Sequence, residues 1–176
     1  MRVKRTGVAG IDGDHEVVGL IARGSLEVYR YLMRLTGGDR SLSEDLLQET
    51  CLATVRAARS RSIDDLTVGW MIVVARRRFV DHLRQTQREQ TRLALIGLDR
   101  DAMEPDWDSI GSDDALLLLG QLASDQRAAL IFRYIDDLAV RDVAELLGRS
   151  VSATESLLAR GRRELAQRVQ EGGRNG

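Results

Sequence analysis

At 176 residues the chain has room for one domain or two small ones, and with 43% hydrophobic and 30% charged residues it falls among globular helical proteins and outside disordered ones. Aromatics at 4%, a single proline (Pro105) and few bounded runs of Val, Ile, Thr and aromatics leave little material for sheet. The formal net charge of −1 excludes no partner, because fields are screened beyond ~8–10 Å and local clusters decide what binds.

The opening stretch, MRVKRTGVAGIDGDHE, is basic but has no apolar core behind it, so it is not expected to be a secretory signal. From about His15 to Leu35, the residues Val18, Ile21, Ala22, Leu26, Tyr29 and Leu32 recur at helical spacing. TGGD (36–39) ends that helix, since paired glycines both stop a helix and permit a turn. In SLSEDLLQETCLATVRAAR, Ser41 and Glu44 fit a capping box. The inward stripe there is Leu46, Leu47, Thr50, Cys51, Thr54 and Val55. A polar loop at 59–65 precedes a long helix that is apolar from Trp70 to Ala75 and strongly basic afterwards.

After Leu98 the chain turns acidic and loses its periodicity as far as Gly111, which predicts a linker. Short helices follow at 112–122, 124–135 and 140–147. In the last stretch, DVAELLGRSVSATESLLARGRREL (142–165), Gly148 supplies a turn and Ser150 caps the next helix. Val151, Thr154, Leu158 and Leu165 are its expected buried stripe. Glu155, Ser156, Ala159, Arg160, Arg162 and Arg163 lie outside it. A helix-turn-helix presents the exposed first half of its second helix to base edges, although an ordinary helix pair with a solvated arginine face has the same pattern.

Charge is segregated along this order. Between Arg76 and Arg92 six arginines (76, 77, 78, 84, 88, 92) oppose Asp81 and Glu89. Between Arg149 and Arg163 four arginines oppose Glu155 alone. Between Asp99 and Asp125, eight acids oppose Arg100. No run of apolar residues reaches the ~18 needed to cross a membrane. One cysteine, Cys51, and two distant histidines, His15 and His82, make neither an internal disulfide nor a metal cluster. No phosphate-cradling glycine loop or nucleophile–base arrangement stands out, so no catalytic residue, metal or cofactor is assigned, and a cytoplasmic location is expected.

Three stretches, SEDLLQETCLATV (43–55), WMIVVARRRFVDHLR (70–84) and DQRAALIFRYIDDLAVRDVAELLGRSVSATESLLARGRREL (125–165), occur in that order. Together they resemble a bacterial RNA polymerase sigma factor of the extracytoplasmic-function (ECF) group of the sigma-70 family. The resemblance runs from about Val17 to Leu165 and is weak in the acidic stretch. It implies an all-α chain of two small helical domains joined by an acidic linker. Residues 1–95 would be the region 2-like bundle for core polymerase docking and the promoter −10 element. Residues 96–112 would be the linker, and 113–176 the region 4-like helix-turn-helix for the −35 element. The implied function is a specificity subunit without catalysis of its own. Its implied partners are core RNA polymerase (the largest-subunit coiled coil and the flap), promoter DNA and an anti-sigma factor, with no membrane insertion of its own.

Carried over residue by residue, the resemblance puts polymerase docking on Asp45, Leu46, Gln48 and Glu49. It puts −10 contacts on Arg76, Arg77, Arg78 and Arg84, with Arg59, Arg61, Ser62 and Asp64 in the loop that captures an unstacked base. Trp70 takes the place of a largely buried Trp, for which packing is expected over base stacking. It puts −35 contacts on Ser152, Glu155, Ser156, Ala159, Arg160 and Arg163. Several positions depart from the family pattern. Cys51 replaces a usual Phe, and Arg77 a usual Asn. Glu155 replaces a usual basic residue and is able to accept from cytosine N4; Leu157 replaces a usually polar or basic residue and is able to meet a thymine methyl. The Pro of the family's LPxxQR is missing from 122–127, where Ser124 is expected to cap instead. Leu157 and Leu158, read as an apolar pair on a polar face, weakly favour an anti-sigma contact. The acidic linker is equally an RNA mimic in the polymerase path or a self-repelling spacer. Two other readings remain at this point: a helix-turn-helix regulator that does not dock on polymerase, and a degenerate sigma-like protein that titrates partners.

Overall fold

The structure, a computed structural model, describes residues 9–60, 65–95 and 114–172. Those residues form seven α-helices and, among the described residues, no strand: α1 (Ala9–Thr36), α2 (Arg40–Ala58), α3 (Val68–Leu95), α4 (Asp114–Gly120), α5 (Ser124–Tyr134), α6 (Val140–Leu147) and α7 (Val151–Gly172). The expected acidic linker and the capture-loop residues Arg61, Ser62 and Asp64 lie outside the described residues.

α1, α2 and α3 pack on one another as an N-terminal unit, and α4 to α7 as a C-terminal one. α1 ends where Gly37 takes φ +72° and the Gly38 amide returns to the Met33 carbonyl at 2.9 Å, the left-handed cap that glycine allows. Its buried stripe is Val17, Leu20, Val28, Tyr31, Leu32 and Leu35, rotated from the expected one, because Val18 and Leu26 are exposed. Apolar spacing left two registers open, and packing against α2 and α3 selects the other. α2 is capped by Asp39, whose side chain accepts from the Leu42 amide at 2.9 Å. The expected Ser41–Glu44 box does not form: Ser41 is already inside the helix, and Glu44 pairs with Arg40. Ser43, Thr50 and Thr54 are buried on the inner face of α2. Their hydroxyls donate to the carbonyl four residues back, so burial leaves no polar group unpaired.

In the C-terminal unit the α6–α7 turn is as expected. Gly148 is left-handed at φ +63°, and Ser150 Oγ accepts from the Ala153 amide at 3.1 Å. Thr154, Leu157 and Leu158 are buried on α7, whereas Val151 is exposed. Leu157, at 2% exposure, therefore belongs to the core and cannot meet a thymine methyl. Nor do Leu157 and Leu158 form a surface apolar pair, so they lend no support to a partner contact. Ser124 does not cap α5 either; it is the first helical residue, and its hydroxyl accepts from Arg127.

The two units share one apolar cluster, from Leu20 on α1 to Leu158 on α7. α4 and α5 rest on α1, and α6 rests on α3. At the centre of the seam is Arg127, 5% exposed. Its Nε donates to the Leu35 carbonyl at 2.8 Å, and Nη2 to the Thr36 carbonyl at 3.0 Å. Nη1 reaches the carbonyls of Gly120 and Leu122, each at 3.1 Å. The guanidinium thus closes the C-terminal ends of α1 and α4 together, with the donor fork matched to carbonyls that a helix end leaves unpaired. Burial pulls its pKa down to about 10, which leaves it charged at neutral pH. A Cβ at Gly37 would run into this guanidinium.

Candidate polymerase and nucleic-acid interfaces

Asp45, Gln48 and Glu49 lie on the outward face of α2, all exposed. The helix turns them out because Ser43, Leu46, Thr50 and Thr54 face in. Leu46, at 3% exposure, is thus not on the outer face with the other three residues assigned to docking. It packs beneath them and holds the helix in place. Cys51 is half-buried and packs against the core. Glu49 lies 3.8 Å from Arg78 of α3, a solvated pair of little energetic weight.

The arginines of α3 do not form one face. Arg77 and Arg78 point toward α2, where with Arg56, Ser60, Trp70 and Asp81 they line an open groove of about 440 Å³. Trp70 is half-buried: part of the ring packs against the core, and part lines this groove. Cations beside an aromatic wall suit a nucleic-acid strand, with the cations taking phosphate and the ring offering a stacking surface. Arg59, which ends α2, is exposed at the same end of the helix. Arg56 and Ser60 were not singled out from sequence; their part in the groove follows from the crossing of α2 and α3.

Arg76 and Arg84 point the other way, at the C-terminal unit. Arg76 Nη1 donates to Asp136 Oδ2 at 3.0 Å, with the two side chains only 15% and 9% exposed. The same carboxylate oxygen accepts from the Tyr31 hydroxyl at 2.7 Å. Burial, then the adjacent Asp136 charge, pushes the Tyr31 phenol well above its ordinary pKa, so it stays a donor. Arg84 Nη2 donates to the Leu146 carbonyl at 2.7 Å and the Glu145 carbonyl at 3.3 Å, at the C-terminal end of α6. Asp136 sits in the α5–α6 turn, set by Asp137 at φ +52°, a left-handed geometry that Asp tolerates better than most residues. Neither Tyr31 nor Asp136 was legible as a site residue, because they are 105 positions apart.

On α7 the assigned residues share the outer face. Ser152, Glu155, Ser156, Arg160 and Arg163 are exposed, and Ala159 is half-buried between them. Arg160 and Arg163 also border a shallow groove with Gln126 and Arg168. Among the described residues, nothing buries the outer face of the first turns of α7, where Ser152, Glu155 and Ser156 are all exposed.

Among the described residues no cluster of His, Cys, Asp and Glu could hold a metal ion, and no helix is long and apolar enough to cross a membrane. Residues 20–89 match the family described as Sigma-70 region 2, and residues 112–165 the one described as Sigma-70, region 4. The chain is 31% identical over 143 residues to the ECF RNA polymerase sigma factor SigM of Bacillus subtilis, covering 79% of this chain and 86% of that one. It is 28% identical over 139 residues to the ECF RNA polymerase sigma factor SigC of Mycobacterium tuberculosis, covering 77% and 74%. Among solved structures it resembles the sigma factor RpoE of Bartonella quintana, crystallised in complex with the anti-sigma factor NepR. That match has a TM-score of 0.52 at 21% identity and covers 90% of this chain and 97% of that one; at this identity the likeness is one of fold.

Proposed function

The chain belongs to the ECF group of RNA polymerase sigma factors in the sigma-70 family, and from that membership we propose how its surfaces divide the work. It is an alternative sigma factor that directs promoter-specific transcription. Asp45, Gln48 and Glu49 meet the coiled coil of the largest polymerase subunit, where exposed acids steer and orient against a basic partner helix. The α2–α3 groove with Arg77, Arg78 and Trp70 takes the opened strand of the −10 element. The outer face of α7 reads the −35 duplex, with Arg160 and Arg163 on phosphates and Ser152, Glu155 and Ser156 toward base edges.

The observation that carries this division is that the two region matches fall on two helical units, with Asp45, Gln48 and Glu49 on an exposed face of one and Ser152, Glu155, Ser156, Arg160 and Arg163 on an exposed face of the other. A regulator that reads DNA only through α7 has no use for the acidic face of α2. A location in the cytoplasm, where polymerase is found, follows from the role, as does the lack of a reaction of its own. An anti-sigma factor that covers the polymerase and promoter faces is the expected negative regulator.

Binding to core RNA polymerase tests the reading. The unmodified chain is expected to bind, and a chain carrying Asp45→Arg and Glu49→Arg to bind roughly a hundredfold more weakly, since like-charge juxtaposition costs several kcal/mol. Equal binding by both would move docking off α2. No binding by a folded native chain would leave a lone helix-turn-helix protein.

A further inference from the structure

The groove beside Arg160 and Arg163 differs in chemistry from the reading face that borders it. It lies where α7 crosses α5 and has an open volume of about 510 Å³ among Gln126, Arg160, Arg163, Glu164 and Arg168. Gly161 makes the crossing close: a Cβ there would stand 3.2 Å from Leu130 and 3.5 Å from Gln126. Glycine at this position brings the Gln126 side chain in among the α7 arginines.

Arg168 is built into the wall of the groove. Its Nη1 donates to Gln121 Oε1 at 2.9 Å, just past α4, and its Nη2 to Glu164 Oε1 at 2.7 Å. Both terminal nitrogens are thus engaged within the protein, and Glu164 offsets the charge. The Nε donor is buried with no hydrogen-bond partner. So is an acceptor on the same groove, Gln126 Oε1. Arg160 and Arg163 are exposed, and among the described residues no carboxylate pairs with either.

Two uncompensated cations, an orphaned N–H and an orphaned carbonyl define the ligand. The cations call for a dianion, which charge-assisted hydrogen bonds would hold. Arg168 Nε needs an oxygen acceptor and Gln126 Oε1 needs a donor, and each is costly to leave unmade. Sulfate and the phosphodiesters of DNA bring acceptors but no hydroxyl. A phosphate monoester ionised above its second pKa of about 6 lacks one too. Inorganic hydrogen phosphate carries both a double negative charge and a P–OH.

We propose that the α5–α7 groove binds inorganic hydrogen phosphate, whose P–OH donates to Gln126 while its oxygens accept from Arg168 Nε, Arg160 and Arg163. Occupation withdraws Arg160 and Arg163 from duplex DNA, so free phosphate and the promoter compete for α7. The competition rests on the assignment of α7 to the −35 duplex; the site itself does not.

Calorimetric titration of the full chain with sodium phosphate, and separately with sodium sulfate, tests the site at constant pH and ionic strength. The native chain is expected to bind phosphate one-to-one, with sulfate roughly tenfold weaker because it leaves the Gln126 acceptor without a donor. Gln126→Leu removes that acceptor without any change of charge, and the two anions should then bind within about twofold of each other. Arg163→Ala should weaken both anions roughly tenfold. Arg162→Ala, at an exposed arginine outside the groove, should leave both within about twofold of native. Circular dichroism establishes that each variant is folded. Equal affinity of the native chain for the two anions would overturn the proposal. Equal losses from Arg163→Ala and Arg162→Ala would do so as well, since general attraction to an arginine-rich helix would explain them. No binding by the folded native chain at millimolar phosphate would leave water as the partner of Arg168 Nε and Gln126 Oε1, and the site would fall. A fluorescein-labelled duplex of mixed sequence, read by anisotropy, tests the competition: phosphate should weaken its binding several-fold more than sulfate does. Phosphate that binds in the calorimeter yet spares the duplex would strike the competition, taking Arg160 and Arg163 off the duplex and leaving the site in place.

Discussion

In the N-terminal unit Arg76 and Arg84 of α3 point at protein; in the C-terminal unit Arg160 and Arg163 of α7 point at solvent. Along the sequence the two basic clusters look alike, each an arginine-rich stretch of helix with few acids among it. What separates them is which side of each helix the fold leaves uncovered. α3 is a 28-residue helix with neighbours on two sides, so Arg77 and Arg78 line the α2 groove and Arg76 and Arg84 reach the seam, while Arg88 and Arg92 further along are exposed. α7 is packed through Thr154, Leu157 and Leu158 on one side only, and its cations remain on the other. A positive cluster in sequence therefore counts charge, whereas availability to DNA depends on what the neighbouring helices cover.

The seam gives the sharpest way to break the comparison, and the largest expected effect. Among the described residues, Arg127 is the side chain that donates to carbonyls of both units, and Arg127→Met removes it. Several buried carbonyls lose their donor at 1–3 kcal/mol each, so unfolding free energy should fall by roughly 4 kcal/mol. In urea the two units should then melt in separate transitions. A single transition with a small loss would mean that the shared apolar cluster, and not Arg127, couples them. Next in size is Leu157→Ala, which should cost about 3 kcal/mol as a cavity in the C-terminal core. Because Leu157 is buried beneath the reading face, promoter preference should be unchanged in chains that remain folded. A changed base preference at the −35 element would return Leu157 to the DNA surface.

A smaller effect should separate α7 from α3 by salt. Arg163→Ala should reduce the slope of log affinity for duplex against log salt by about one, because Arg163 is exposed on the outer face of α7, where a phosphate can reach it. Arg84→Ala should leave that slope nearly unchanged in the polymerase-free chain, where α6 carbonyls occupy the guanidinium. Equal losses from the two substitutions would show that both clusters are equally available, and the contrast between the units would fail.

Much of this was legible in sequence where the signal is local. The seven helices follow from apolar spacing and glycine punctuation, and the Gly148–Ser150 turn formed as its residues dictate. The docking and reading faces follow from motifs in order, and most of their residues are exposed as such roles need. Errors arose where spacing alone could not choose between registers. Val18 and Leu26 fit a helical stripe as well as Val17, Leu20 and Val28 do, and only the neighbouring helices decide. Leu46, placed in the inward stripe by its spacing, was given a docking role, and Leu157 a surface place, because the family places function beside them, but a helix needs apolar anchors under its functional face. The Arg127 clamp and the Tyr31–Asp136–Arg76 contact were beyond reach for a different reason. They join residues 60 to 105 positions apart, and no short-range pattern encodes which distant carbonyl or carboxylate an arginine will meet.

The smallest effect concerns Glu155, the one acid on the reading face of α7. It is exposed at the middle of the outer stripe, between Ser152 and Ala159, about a turn and a half from Arg160 and just over two turns from Arg163. A carboxylate there repels the phosphates that its arginine neighbours attract, unless it accepts from the N4 amine of a cytosine. The two cases differ in sign. If Glu155 only repels, Glu155→Arg should tighten nonspecific duplex binding a few-fold and steepen its salt dependence, because one repulsion is replaced by one phosphate contact. If it reads cytosine, the same change should weaken binding to a promoter carrying that base while still tightening binding to unrelated duplex. Titrating both duplexes at two salt concentrations separates the cases, and parallel gains on both would leave Arg160 and Arg163 without an acidic specificity element beside them.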